Sequence, residues 1–358
     1  MKKANQKLLR VRLIGKSRGV GLVELMIAMT IGLVLLGGIG YIFLGSQQTF
    51  RTQDDFSRIQ ENVRYALDQV GMDVRMAGYA GCLNLSSIDP ANPAAIPITV
   101  VANGAPTVGL DQAMRGYVGT TWTAPGTAPA NWVSGTGVFV ITRASEAGVN
   151  VTGNTTPSNA NLQITGNPAG FVAEEALLVS DCRKADLFRA VNVSGGTVTI
   201  STGISSCANI GMACNTQPFL GGSYGNDAEV FRMISNTYFI GTNPAGVPAL
   251  YRRPLNGNAE ELVDNVENLV MRFGIDTAPT DTNLVVNSYV SASDFPTSTW
   301  TDWRQVLTAR MSLVFRSNSN NVATQVQPYV LEGSTVTPTD RRLRQVATAT
   351  FGLRNRLP

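Results

Sequence analysis

The chain has 358 residues, 44% of them apolar and 15% charged, with a formal net charge of +3. That length and apolar share allow one large packed domain or two ordinary ones, and exclude a disordered chain. It contains no histidine, which removes Ser-His-Asp and Cys-His nucleophile systems. No Ser/Lys or paired-carboxylate motif takes their place, so neither an enzyme nor a cofactor is called for.

Lys2, Lys3, Lys7, Arg10, Arg12, Lys16 and Arg18 precede Gly19 without an acidic residue among them. The basic balance is therefore a feature of a leader, residues 1–19, and the remainder is net acidic. From Val20 to Leu44 the only ionisable groups are Glu24 and the phenol of Tyr41. This is a membrane-length apolar segment, too long for the core of an ordinary cleaved secretory signal. Basic residues before it and Asp54 and Asp55 after it orient the N-terminus toward the cytoplasm, with the rest exported.

Helical periodicity continues past the apolar stretch. Phe56, Ile59, Val63, Ala66, Leu67, Val70, Val74 and Ala77 recur at steps of three and four, while Arg58, Glu61, Arg64, Asp68, Asp73 and Arg75 fill the other positions. Only Gly71 opposes the helix, and Gly78 and Gly81 end it, Gly78 as a C-terminal cap. The reading is one helix of roughly 80 Å, divided into residues 20–45, for a membrane or filament core, and residues 46–81, amphipathic.

Residues 82–358 read as a β-rich body, of which 83–135 is loop-rich: Ala, Pro, Gly, Thr and Asn dominate, with Trp122 and Trp132 docking the segment on its neighbour. Short runs such as 137–142, 176–180, 187–191, 229–234, 237–240 and 249–253, punctuated by Gly and Asn, predict an antiparallel sheet. A short helix or turn is expected over 260–269, then strands at 270–275, 307–315 and 343–353, the last with clear alternation. The fold class is α+β, a long N-terminal α-helix packed on an antiparallel β-sheet-rich domain. Cys82, Cys182, Cys207 and Cys214 all follow the apolar segment; with no Cys-x2-Cys pair and no histidine, disulfides are favoured over zinc. Connectivity is not readable, although Cys207 and Cys214 could close a small loop and leave Cys82 for Cys182.

The stretch Gly19-Val20-Gly21-Leu22-Val23-Glu24, followed by Leu25-Met26-Ile27-Ala28-Met29, resembles the prepilin leader of type IV pilins and pseudopilins, G-F-x-x-x-E before an apolar helix. Val20 departs from the usual Phe. Residues 64–68, 73–82, 179–186, 340–344 and 353–358 make the chain similar to one branch of that family, the minor pilins of the PilW type. The resemblance implies a type IV pilin-like fold, cleavage by a prepilin peptidase between Gly19 and Val20, and N-methylation of Val20. It implies too that Glu24 pairs with the N-terminus of a neighbouring subunit during assembly. On the residues alone, Glu24 in an apolar helix calls for a partner, against the plainer reading that it snorkels to the headgroups. Gly32, Gly37, Gly38, Gly40 and Gly45 are candidates for close helix packing, or are only tolerated.

The implied role is a minor pilin that acts with other minor pilins to initiate the pilus near its tip. The further partners are major pilin, a tip adhesin and the inner-membrane assembly machinery. The implied location is the inner membrane of a Gram-negative bacterium with the body in the periplasm, then the pilus tip. The alternatives are a minor pseudopilin of a type II secretion system and a monomeric signal-anchored periplasmic binding protein. Asp276, Asp281 and Asn283 are weak calcium candidates for which a solvated loop is favoured. Arg341, Arg342, Arg344, Arg354 and Arg356 read as an exposed strand rim rather than a direct nucleic-acid contact.

Overall fold

A single helix, α1 (Leu22–Met76), carries the N-terminal part of the chain. The computed structural model describes residues 19, 21–84, 98–101, 110, 112–153, 161–194, 199–201, 215–255, 257–277, 285–295 and 303–356. The chain divides after Gln53 into two units, Met1–Gln53 and Asp54–Pro358. Leu22–Met76 contributes to both, and its buried residues begin at Asp55.

The strands in chain order are β1 (Ile98–Val100), β2 (Met114–Tyr117), β3 (Val138–Ala144), β4 (Val149–Gly153), β5 (Asn161–Ile164) and β6 (Ala176–Ser180). Then come β7 (Ala185–Arg189), β8 (Asn192–Ser194), β9 (Thr199–Ser201), β10 (Glu229–Thr242), β11 (Pro248–Pro254) and β12 (Glu260–Asp264). The last six are β13 (Val266–Ile275), β14 (Ser288–Ser291), β15 (Val306–Arg316), β16 (Tyr329–Leu331), β17 (Ser334–Val336) and β18 (Arg344–Gly352). The first twelve form one branched sheet. Its trunk is β10, whose first residues pair with β6 and β4 and whose later residues pair with β11 and β3. A four-stranded sheet runs β14-β13-β15-β18, and β16-β17 is a separate hairpin. The pairing is antiparallel except between β1 and β7, which run parallel.

Residues 54–76 of α1 lie on the four-stranded sheet because the apolar stripe has somewhere to go. Ile59, Ala66, Val70 and Val74 share a core with Phe139 of β3, Leu269, Met271 and Phe273 of β13, Met311 and Leu313 of β15, and Ala347 and Phe351 of β18. A fully buried aliphatic or aromatic side chain contributes about 1.5–3 kcal/mol, so this contact alone holds the helix on the body. Gly71, the poorest helix former of the stretch, has a packing reason: a Cβ there would lie 2.6 Å from Cε1 of Phe351. The opposite face of the sheet is covered by the β16-β17 hairpin, where Glu332 accepts hydrogen bonds from Ser312 Oγ at 2.8 Å and Arg272 Nε at 3.2 Å.

The helix ends as its glycines predict. Gly78 takes φ 73°, and its N–H donates to the Thr142 carbonyl of β3 at 2.8 Å. Cys82, just beyond, is disulfide-bonded to Cys182 in the β6-β7 turn, closing a sequence separation of 100 residues. Loss of a bridge over so long a loop typically costs about 2–5 kcal/mol. Cys207 and Cys214 lie outside the described residues.

Two local expectations change. Residues 260–264 form strand β12, not a helix or turn. Pairing with β11, Leu250 against Val263, overrides the helical spacing of Leu262, Val263 and Val266, and the change of direction is made by Asn265 at φ 58°. The C-terminal arginines form an exposed rim only in part: Arg341 and Arg354 are exposed, whereas Arg342, Arg344 and Arg356 are not. Arg344 makes bidentate contact with Glu267 at 2.7 and 2.8 Å and also reaches Asp340 at 2.6 Å. Arg342 donates to the Ser317 carbonyl at 2.8 Å, and Arg356 is buried. A guanidinium held this way is not free to neutralise a phosphate.

Trp122 and Trp132 do dock the loop-rich segment. Their rings meet edge-on at 5.2 Å, and Trp122 meets Phe239 of β10 at 5.8 Å.

Candidate functional site: the exposed apolar half of the helix

Within the first unit the helix buries nothing. Leu22 is 78% exposed, Leu33 74%, Val34 75% and Tyr41 82%. Residues 25–50 contain no Asp, Glu, Lys or Arg. Monomeric soluble proteins rarely leave so long an apolar surface in water, so this surface belongs in lipid or against other chains. Alpha-helix is the form in which a backbone survives there, because every N–H and C=O is satisfied within the segment. Its threonine hydroxyls are satisfied too: Thr30 Oγ1 donates to the Ile27 carbonyl at 2.8 Å and Thr49 Oγ1 to the Gly45 carbonyl at 2.9 Å. The segment is long and apolar enough to cross a membrane.

Helix formation starts at Gly21, whose carbonyl accepts from the N–H of Glu24 at 3.0 Å and of Leu25 at 3.1 Å. Glu24 thus stands in the first turn, where a carboxylate is favoured by the helix dipole. Its side chain is exposed. Gly19 is described and open; Val20 lies outside the described residues. Gly32, Gly37, Gly38, Gly40 and Gly45 meet no atom of this chain within 4 Å of an added Cβ. None of them is explained by packing within the described residues.

At the other end of α1 lies a polar centre that the sequence reading placed on the solvated face. Asp73 is only 5% exposed. Its Oδ1 accepts from Arg143 Nε at 3.2 Å and Nη2 at 3.1 Å, and its Oδ2 accepts from Asn236 Nδ2 and Tyr238 Oη, both at 2.6 Å. Burial, together with the neighbouring Asp73 carboxylate, pushes the Tyr238 phenol well above its ordinary range, so it stays a donor. The signal for Asp73 was present: Ala66, Val70, Asp73 and Ala77 step by four, three and four, which puts the carboxylate on the buried stripe.

Of the calcium candidates, Asp276 alone is among the described residues. Asp276 is buried and accepts from the Val285 N–H at 3.2 Å and Asn287 Nδ2 at 3.4 Å. Asp281 and Asn283 lie outside the described residues. Among the described residues no group of three His, Cys, Asp or Glu side chains is placed to hold a metal ion.

An apolar helix that begins one residue after a Gly-x-Gly, carries a carboxylate in its first turn and continues onto a β-rich body is the arrangement expected of a type IV pilin. Residues 14–40 match the family model of the prokaryotic N-terminal methylation motif, and residues 237–355 match that of the type IV pilus-assembly protein W. Together the two matches support a type IV minor pilin of the PilW type. Neither the curated proteins nor the solved structures give a match. The second match runs from the later part of β10 through β18, which includes the sheet that receives the helix. The two matches point to a structural rather than a catalytic protein, and suggest interaction with other pilins and the assembly machinery. The leader and the apolar helix fit membrane anchoring with a periplasmic body.

Proposed function

We propose that the chain is a minor pilin that joins other minor pilins to prime pilus assembly and resides near the tip. A prepilin peptidase cuts after Gly19, and the new amine at Val20 is methylated. The helix is stored in the inner membrane and is then drawn into the filament core, where residues 20–45 pack against other subunits. In this reading Glu24 meets the N-terminal amine of a neighbour and sets its axial register, since a carboxylate without a partner is costly in such surroundings. A tip adhesin is the expected partner at the distal end, with twitching, adhesion and DNA uptake as the processes served. The observation that carries the reading is the wholly exposed apolar surface of residues 22–50 beginning at Glu24.

Intact mass of the membrane-extracted protein tests the processing step, with a chain starting at methylated Val20 as the expected result. A full-length mass would return the protein to the signal-anchored class. Co-purification with secretion components, and loss of secretion rather than of twitching on deletion, would instead indicate a pseudopilin. The Glu24→Val variant is expected to fold and be exported, yet be largely missing from sheared pili. Normal incorporation would remove the role given to Glu24.

A further inference from the structure

The edges of the sheet are built differently. At the end of β14, the Ser291 N–H donates to Asp294 Oδ2 at 2.7 Å in a capping box that opens the following 3-10 turn, so the chain turns out of the sheet there. In the larger sheet, edge strand β12 carries Glu260, Glu261 and Asp264, charges of the kind that keep an edge from pairing. Strand β18 has no such device. The Leu353 N–H donates to the Leu307 carbonyl at 2.9 Å and the Ser317 N–H to the Leu343 carbonyl at 2.8 Å. These bonds set the parity of the antiparallel ladder. Odd-numbered residues of β18 bond to β15, so the N–H and C=O groups of Val346, Thr348 and Thr350 point outward, with no partner among the described residues. The pairing of β18 with β15 has no register shift, and no Pro or Lys interrupts residues 345–352.

One flank of α1 runs along this open edge. Gly71 and Arg75 both meet Phe351, the guanidinium of Arg75 lying 5.2 Å from the ring centroid. Arg75 is exposed and takes no part in the ion pairs of the described residues. Met72, 57% exposed, and Tyr65, 45% exposed, lie on the outward face of the helix, opposite the buried stripe of Ile59, Ala66 and Val70. An open backbone ladder thus ends beside an exposed cation that forms no ion pair among the described residues.

We propose that the outer edge of β18 takes an extended strand from a different subunit of the pilus. That strand presents an Asp or Glu to Arg75. Main-chain hydrogen bonds supply affinity, and the flanking helix supplies selectivity. A two-fold pair of this chain does not fit: β18-β18 pairing runs the α1 helices in opposite directions, which chains inserted alike in one membrane do not permit. The proposal rests on the pilin reading.

Its test uses full-length protein in cells. The Thr350 N–H points away from β15, so Thr350→Pro blocks an incoming strand without removing a backbone bond inside the sheet; it gives up only the long 3.4 Å bond from Arg310 Nε to Thr350 Oγ1. The variant is expected to keep its disulfide and its urea midpoint and to be processed at Val20, while recovery in sheared pili falls about tenfold. If Thr350→Pro does not fold, Thr350→Lys keeps the N–H and places a charge on the edge, with the same readout. A photo-crosslinking amino acid at Thr350 should capture a strand of another subunit, whereas one at exposed Thr335 of β17 should not. Wild-type recovery of the processed variant, capture of a second copy, or no capture above the Thr335 level would each overturn the proposal and leave the pilin reading standing. An unprocessed N-terminus would sink the pilin reading itself.

Discussion

The two halves of α1 use one secondary structure for opposite ends. In residues 22–53 the apolar side chains cover the whole circumference and are exposed; in residues 54–76 they form one stripe and are buried. The polar residues differ in the same sense. Glu24 is exposed and accepts no side-chain bond among the described residues, whereas Asp73 is buried and accepts four. A helix that is apolar all round is completed by something outside the chain, and a helix with one apolar stripe is completed by its own body. The contrast assigns assembly to the first half and folding to the second.

Removing each carboxylate in turn should therefore give opposite results. Asp73→Ala strips the partner from partly buried Arg143 and leaves Asn236 and Tyr238 donors unmet. An unfolding stability lower by about 3–5 kcal/mol is expected, measured by urea titration of detergent-solubilised full-length protein. Trp122, Trp132, Trp300 and Trp303 all lie beyond Gln53 and report on that body. Glu24→Val should leave the same curve unchanged. A large loss of stability from Glu24→Val, or none from Asp73→Ala, would dissolve the division of labour.

Glycines give a second, smaller contrast. Gly71→Ala pushes a methyl into Phe351 and should lower stability by about 1–3 kcal/mol, since overpacking a fixed ring forces the helix or the strand to shift. Gly37→Ala meets nothing within the chain and should leave the urea curve in place; alanine is the better helix former by roughly 1 kcal/mol. If Gly37 is a close-packing position, the same change reduces recovery in pili. If recovery is unchanged, that glycine is only tolerated.

What was legible in the sequence followed from period and chemistry that are local. The helix over Leu22–Met76, its stop at Gly78 and the alternation of β18 all rest on neighbours in the chain. Where pairing came from a distance the reading failed. Residues 260–264 have helical spacing but find β11, and Asp73 sits on the apolar stripe because Arg143, Asn236 and Tyr238 arrive from two other strands. The short strand β2, inside the loop-rich segment, is held by β3 and carries only Met114 as a large core residue. For the site, Gly19 and Glu24 were readable because their meaning is a spacing. The open edge of β18 was not, since the parity of a ladder appears only once its partner strand is known.

Acid should act on the body and spare the exposed helix half as long as the latter is in lipid or detergent. Hydrogen bonds from the Arg344 side chain hold the Asp340 carboxyl below its ordinary value, against the opposing effect of burial, with the Arg342 N–H adding to the depression. A depressed folded-state pKa means that the unfolded chain takes up the proton first. Stability from this pair is therefore complete above the ordinary carboxylate range, near pH 4, and is lost as the pH falls through the lower folded-state value. Because Arg344 also binds Glu267, and Glu267 binds Arg316 at 3.2 Å, protonation of Asp340 loosens the lower end of β18 and its neighbours β13 and β15. Asp340→Asn should remove part of the acid dependence and cost stability at neutral pH, leaving the variant and the parent closest at low pH. The check is a set of urea titrations between pH 3 and pH 7. Parallel curves for the two proteins across that range would show that the carboxylate, although paired in the fold, carries no net stability.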